Sequence, residues 1–212
     1  MKKLYLFDMD GTIRDDFSAV YESMVEVFHE FGRNPPTIRE YRNNPSPDFW
    51  DTYKKRGFDE SEKQAVERRF SEIFHSRYEA AVKIFPDAYP AISGLKNNGA
   101  MIGVVSNHRA AAVKSQLADY GLEKFVSVVV GGDEVEERKP SAKPLLVAFR
   151  RLGISPQNGC YVADKTWDIM SAHAAGTEAI AISRKLGQHE ESALFAANPE
   201  KLIHNLEELL VE

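Results

Sequence analysis

A single cysteine, Cys160, leaves this 212-residue chain unable to close an internal disulfide. Its apolar setting, Cys160-Tyr161-Val162-Ala163, makes a buried, inert thiol the expected reading. Long hydrophobic runs are also lacking. No stretch approaches the roughly 20 residues of a membrane span, and the apolar run Leu4-Tyr5-Leu6-Phe7 ends at Asp8 too soon for a secretory h-region. A cytoplasmic location with no membrane partner is expected. Positive charge is in short supply: 27 Lys and Arg stand against 32 Asp and Glu, a net charge of −5. No global positive field is therefore available to bind nucleic acid, and any anionic ligand must be held by local groups. No internal repeat or low-complexity tract is present.

What the chain does have is the composition of a packed globular protein, 43% hydrophobic and 28% charged. Its length suits one substantial core, or a core carrying a smaller insertion. Short apolar runs at Leu4 to Phe7, Met101 to Val105, Ser127 to Val130, Gly159 to Ala163 and Glu178 to Ile182 read as strands. Helical patterns at Ala88 to Asn97, Ala110 to Tyr120, Lys143 to Leu152 and Asp168 to Ala175 separate the later ones. Alternation of this kind predicts an α/β fold, a doubly wound parallel sheet wrapped by crossover helices. Gly99, Gly121, Gly153 and Gly176 follow the helices as candidate C-terminal caps.

The segment between the first and second strands is far longer than an ordinary crossover. It holds helical patterns at Phe17 to Phe31, around Asp48 to Arg56 and at Glu60 to Ala81, punctuated by Pro35-Pro36 and Pro45-Ser46-Pro47. The expected division is a core of residues 1–15 and 84–212 with a helical cap, residues 16–83, inserted after the first strand.

In an open parallel sheet, ligands bind beyond the carboxyl ends of the strands. Four polar groups stand at such ends or in the loops beyond them: Asp8-Met9-Asp10-Gly11-Thr12, Ser106-Asn107, Lys139-Pro140, and Asp164 with Asp168. Carboxylates gathered at one edge repel one another unless a cation sits among them, and an oxygen-only donor set suits Mg2+. One carboxylate can attack phosphorus directly and split a difficult displacement into two easier ones; Asp8, at the strand end, is placed for this. Asp10, two residues on and facing the same way, suits general acid and base work. Gly11 allows a tight turn beside the phosphoryl oxygens, and Thr12 is expected to start the turn into the cap. Ser106 offers a hydroxyl donor and Lys139 a cation, the groups that phosphoryl transfer needs around the transferring oxygens. Each element alone is commonplace: Asp-x-Asp as a loop edge, Ser-Asn as a helix N-cap, Lys-Pro as a surface dipeptide. The weight lies in all four occurring in order.

In that order they resemble the haloacid dehalogenase superfamily, and within it the phosphoglycolate phosphatase and β-phosphoglucomutase-like branch with a helical cap. The motifs are Phe7-Asp8-Met9-Asp10-Gly11-Thr12-Ile13, then Val104-Val105-Ser106-Asn107, then Lys139-Pro140 with Pro144-Leu145-Leu146, and finally Tyr161-Val162-Ala163-Asp164 with Asp168-Ile169 and Ala174-Ala175-Gly176. The resemblance implies Asp8 as nucleophile and Asp10 as general acid and base. It makes Ser106, Asn107 and Lys139 phosphate binders, and has Mg2+ held by Asp8, Asp10 through its carbonyl, and Asp164. Asp168 would orient Lys139 or bound water. Two departures stand out. The branch usually reads Gly-Asp-Ser where this chain has Ala163-Asp164-Lys165; a cation beside a metal ligand either weakens magnesium affinity or adds a contact to an anionic substrate, and the favoured alternative is that Lys165 extends into solvent along its aliphatic stem. Arg14 stands where an apolar residue is common.

The expected activity is Mg2+-dependent hydrolysis of a small phosphorylated metabolite, a phosphoglycolate-like, sugar or nucleotide phosphate, by a monomer or homodimer. Phosphomutase action through the same Asp8 is the rival, and a non-catalytic binding protein on the same fold the third reading. Arg14, Arg42, Asn43, Asn44, Trp50, Tyr53, Lys54 and His108 are candidate substrate contacts, each with an alternative as a core, hinge or surface residue. Trp50 and Tyr53, at helical spacing, have packing of the cap as theirs. Lys54 and Lys55 are open to a Schiff-base role, with nothing to mark either as desolvated.

Overall fold

A computed structural model describes residues 2–211. The chain begins with β1 (Leu4–Phe7), four fully buried apolar residues, and reaches the two-residue β2 (Arg14–Asp15) through the turn that carries Asp8 and Asp10. Helices follow: α1 (Phe17–Glu30), α2 (Ile38–Asn43), α3 (Trp50–Lys54) and α4 (Lys63–Ile73), the last continuing through a wider turn at Phe74–Tyr78. The short β3 (Lys83–Ile84) pairs with β2. From there the pattern alternates: α5 (Ala88–Asn97), β4 (Met101–Val105), α6 (Ala110–Asp119), β5 (Val126–Val130), α7 (Lys143–Leu152), β6 (Gly159–Ala163), α8 (Thr166–Ala175), β7 (Glu178–Ile182), α9 (Glu191–Ala196) and β8 (Lys201–Ile203).

Two compact units result, one from the chain up to Arg14 and from Ile84 onward, the other Asp15–Lys83. In the larger unit six strands form one parallel sheet in the order β5-β4-β1-β6-β7-β8. Both faces are covered, so the strands read as continuous apolar runs and not as alternating ones. Tyr5, Phe7, Ile102, Val104, Cys160 and Val162 pack on one side with Ile92, Leu95 and Val113, and Leu4, Leu6, Val130, Tyr161 and Ala163 on the other with Leu145, Phe149 and Ile169. The chain winds from β1 outward through β4 and β5, then restarts on the other flank at β6. The strand order thus reverses between β1 and β6, the place where a doubly wound sheet opens a crevice. Gly99, Gly121, Gly153 and Gly176 all adopt positive φ just past their helices.

The smaller unit has its own core. Phe28, Trp50, Tyr53 and Phe58 interlock, with Phe28 and Tyr53 stacked at 4.9 Å and Phe58 edge-on to both. Trp50 and Tyr53 are buried there, the packing role that helical spacing allowed. Thr37 starts α2 with a reciprocal capping box to Glu40.

The α2 helix, α9, β8 and the two-residue strands β2 and β3 have no counterpart among the sequence expectations. All are six residues or shorter, too brief for a periodic signal to emerge. The α8 helix starts at Thr166, two residues before the expected Asp168, because Lys165 takes an extended conformation as its N-cap. No helix among the described residues is long and apolar enough to cross a membrane.

Candidate active site

Three strand ends and one loop build the site. Asp8 follows β1 and continues its pairing, its N–H donating to Val162 O at 3.0 Å. Asp164 follows β6 on the other flank of the strand reversal, and Ser106 follows β4. Lys139 comes from the loop between β5 and α7, next to a cis peptide bond to Pro140. All four side chains are buried, as is Asp168 on the first turn of α8.

The turn after Asp8 is held by backbone bonds from Ile13 N and Arg14 N to Met9 O, both 2.9 Å, and from Gly11 N to Arg14 O. Gly11 sits at φ +82, and a Cβ there would lie 2.1 Å from Asp164 Oδ2. Only glycine meets both demands. Thr12 donates its hydroxyl to Asp164 Oδ1 at 3.1 Å, so its side chain braces the second carboxylate.

Lys139 is the positive hub on one side of Asp8. Its ammonium lies 2.8 Å from Asp8 Oδ1, 2.8 Å from Asp168 Oδ1 and 2.7 Å from the Tyr161 hydroxyl, which in turn donates to Val105 O. The expected link between Asp168 and Lys139 is thus a direct ion pair. Asn107 uses both polar atoms of its side chain on the main chain of Lys139, accepting from its N–H at 3.0 Å and donating to its carbonyl at 3.3 Å. Its amide oxygen and one of its two amide N–H donors thereby bear on the site through Lys139. The Ser106 hydroxyl accepts from His108 N at 3.1 Å.

On the other side of Asp8 stands Lys165. Its ammonium donates to Asp8 Oδ2 at 3.0 Å, to Asp164 Oδ1 at 2.8 Å and to the Asp10 carbonyl. The expected solvent-facing lysine is overturned: its side chain is only 14% exposed and turns back into the cluster. Two carboxylates and a backbone carbonyl at the end of the sheet outweigh hydration of one ammonium, a balance that spacing along the chain does not reveal.

Asp10 lies at the rim. Its carboxylate takes Arg14 on Oδ1 at 3.1 Å and His108 on Oδ2 at 3.2 Å. Of the candidate substrate contacts, Arg14 and His108 adjoin Asp10. Tyr161 was missed by sequence reasoning; the one available signal was a hydroxyl-bearing side chain inside an apolar strand.

Electrostatics follow from this packing. Burial opposes ionisation of Asp8, but the ammonium groups of Lys139 and Lys165 outweigh it and hold the carboxyl well below the usual carboxylate range. Burial raises Asp164, with the Asp8 charge adding to it and Lys165 opposing. Burial pushes Asp168 up to about 7 despite Lys139. Both lysines stay charged: burial lowers each, and the surrounding carboxylates more than restore it.

The donor set tests the expected metal. Carboxylate oxygens from Asp8, Asp164 and Asp168 come within 4.8 Å of one another, and the Asp10 carbonyl joins the first two around a single point. That set is all oxygen, the chemistry of a hard divalent cation. A stand-in cation, the Lys165 ammonium, already marks the point where positive charge belongs.

Residues 5–182 match the model of the haloacid dehalogenase-like hydrolase family. Pyrophosphatase PpaX of Bacillus cereus is 28% identical over 205 residues, covering 97% of this chain and 93% of that protein. Among solved structures, a haloacid dehalogenase-like family hydrolase from Streptococcus pneumoniae superposes with a TM-score of 0.85 at 17% identity, over 99% of this chain and 97% of that one. A predicted phosphoglycolate phosphatase from Haemophilus somnus does so with a TM-score of 0.77 at 22% identity, over 99% and 96%. At these identities the solved structures speak for the fold.

Proposed function

The chain belongs to the haloacid dehalogenase-like hydrolases, and from that premise we propose that it hydrolyses a small phosphorylated metabolite through an aspartyl phosphate on Asp8. It is a phosphatase of that family; substrate, intermediate and metal are our reading. The observation that carries it is the state of Asp8, a buried carboxylate at the strand reversal kept ionised by an ammonium on each oxygen. A carboxylate must be ionised to attack phosphorus, and positive charge on both sides of it, Lys139 on one oxygen and a cation at the point that Lys165 marks on the other, also neutralises an approaching phosphoryl dianion.

In the first step an Asp8 oxygen forms a bond to phosphorus as the bond to the leaving oxygen breaks, and Asp10 gives that oxygen a proton. In the second, water attacks the aspartyl phosphate, Asp10 takes the proton of the water, and inorganic phosphate leaves with Asp8 restored. Lys139 binds the transferring oxygens, Ser106 offers its hydroxyl to them, and Asn107 and Asp168 position Lys139. Arg14 and His108 keep Asp10 oriented at the rim. Mg2+ would be held by the carboxylates of Asp8 and Asp164 and the carbonyl of Asp10, where it supplies charge neutralisation to the phosphoryl oxygens.

The substrate class is a small phosphate ester or anhydride. The Bacillus cereus relative is named a pyrophosphatase, which puts pyrophosphate beside phosphoglycolate, sugar phosphates and nucleoside monophosphates. The test is release of inorganic phosphate from that panel with Mg2+, for the wild type and Asp8→Asn. Turnover of at least one compound, abolished in Asp8→Asn with the fold intact, is the expected result. Retained turnover in Asp8→Asn overturns the nucleophile, and isomerised product without phosphate release makes the protein a mutase.

A further inference from the structure

The Lys165 ammonium donates to Asp8 Oδ2, Asp164 Oδ1 and the Asp10 carbonyl. These are the same three oxygens that would hold a divalent cation. Three donor protons meet three acceptors, so the group sits in their common centre and not at an edge. A magnesium ion takes its oxygens at about 2.0–2.1 Å, which puts it inside the volume of that ammonium, and two positive charges cannot share the point.

The backbone explains why this lysine reaches. Lys165 directly follows Asp164 and is extended, φ −124 and ψ 144, as the N-cap of α8. Its four-carbon stem folds back over the strand end, while a short side chain at the same position would stop far from Asp8. The charge count gives the competition its direction. With all three carboxylates ionised, Asp8, Asp164 and Asp168 face Lys139 and Lys165, leaving one negative charge in excess; exchange of Lys165 for a dication brings that cluster to neutrality.

We propose that Lys165 is a built-in competitor for the divalent cation: it occupies the cation position in the metal-free protein, and metal binding proceeds by expelling its side chain. The inference rests on the cation site of the proposed function, and its test reads binding, not turnover.

Mg2+ and Mn2+ binding to metal-stripped protein is measured by titration calorimetry for the wild type, Lys165→Ser and Lys165→Met. Both variants bind at least about tenfold more tightly, because no charge-assisted hydrogen bonds have to be broken first. In the wild type, amine acylation read by mass spectrometry finds Lys165 protected without metal and reactive with saturating Mg2+. This second measurement stands even if a variant without the ammonium fails to fold. Equal affinities in wild type and variants, or protection of Lys165 unchanged by Mg2+, overturn the proposal. Absence of metal binding by any of the three proteins overturns the proposal and the cation site together, whatever the phosphatase panel shows.

Discussion

Lys139→Met removes the charge at the centre of the buried network while keeping most of the side chain's volume. The ammonium makes two ion pairs of 2.8 Å, to Asp8 and Asp168, and donates a 2.7 Å hydrogen bond to the Tyr161 hydroxyl. Coulomb's law at an effective dielectric of about 20 puts each ion pair near 6 kcal/mol, before the cost of taking the ions out of water. Most of that gain is offset by desolvation, but deleting one partner leaves buried carboxylates uncompensated, a loss of about 3–5 kcal/mol. With a urea slope near 2–3 kcal/mol per M, the midpoint falls by roughly 1–2.5 M. The loss has a pH signature. Asp168, already pushed up to about 7 by burial against the pull of Lys139, moves higher without it. A folded-state pKa above the unfolded value means that folding retains a proton which unfolding releases as pH rises, so the variant loses further stability from pH 6 to 9. Phosphate release falls by about 10²–10³ in kcat through lost electrostatic stabilisation. Adding Asp168→Asn recovers much of the stability and none of the turnover. Urea denaturation at three pH values and a phosphate-release assay decide it. A loss under about 1 kcal/mol, a pH-independent loss, or turnover restored in the double variant would refute the reasoning.

Gly11→Ala is expected to abolish activity and lower the melting temperature, because its Cβ would fall 2.1 Å from Asp164 Oδ2 in a backbone at φ +82; calorimetry and phosphate release on one preparation check both. His189 is buried against Trp167, and neither ring nitrogen has a hydrogen-bond partner among the described residues. Burial, helped by the Lys165 charge, lowers its pKa to about 3. The unfolded chain protonates it near 6.5 and the folded one does not, so stability drops by about 2 kcal/mol between pH 7 and 5; His189→Leu flattens that part of the urea midpoint against pH. Tyr53→Phe in the helical unit removes a buried hydroxyl that has no hydrogen-bond partner among the described residues. It is expected to leave stability unchanged or raise it by up to about 1 kcal/mol, read as the thermal midpoint.

Much of the fold was legible because its signals are local. Five strands and four helices of the sheet unit stand within two residues of where apolar runs and periodicity put them. Those runs are continuous because both faces of the sheet are covered. What escaped is short: α2, α9 and β8 are stabilised by packing and pairing with distant partners, which leave no periodicity in six residues or fewer. At the site, Asp8 and Asp164 stand at the ends of paired strands, and Lys139 reaches Asp8 from the loop after β5. The pairing of the Asn107 amide with the main chain of Lys139, 32 positions away, left no local signal. The role of Tyr161 depends on which face of β6 it takes and on what Lys139 brings to that face.

The sequence by itself determined which chemical groups stand at the strand ends. A carboxylate that follows an apolar strand has nowhere else to go, and that sufficed to mark Asp8 and Asp164. Only the tertiary structure decided the charge state and occupancy of the place where they meet. Asp8 is held ionised by lysines 131 and 157 positions away in the chain, and Lys165 turns inward to oxygens that come together only once β1 and β6 pair. Burial and long-range Coulomb terms set those outcomes, and neither is a property of any short stretch of residues.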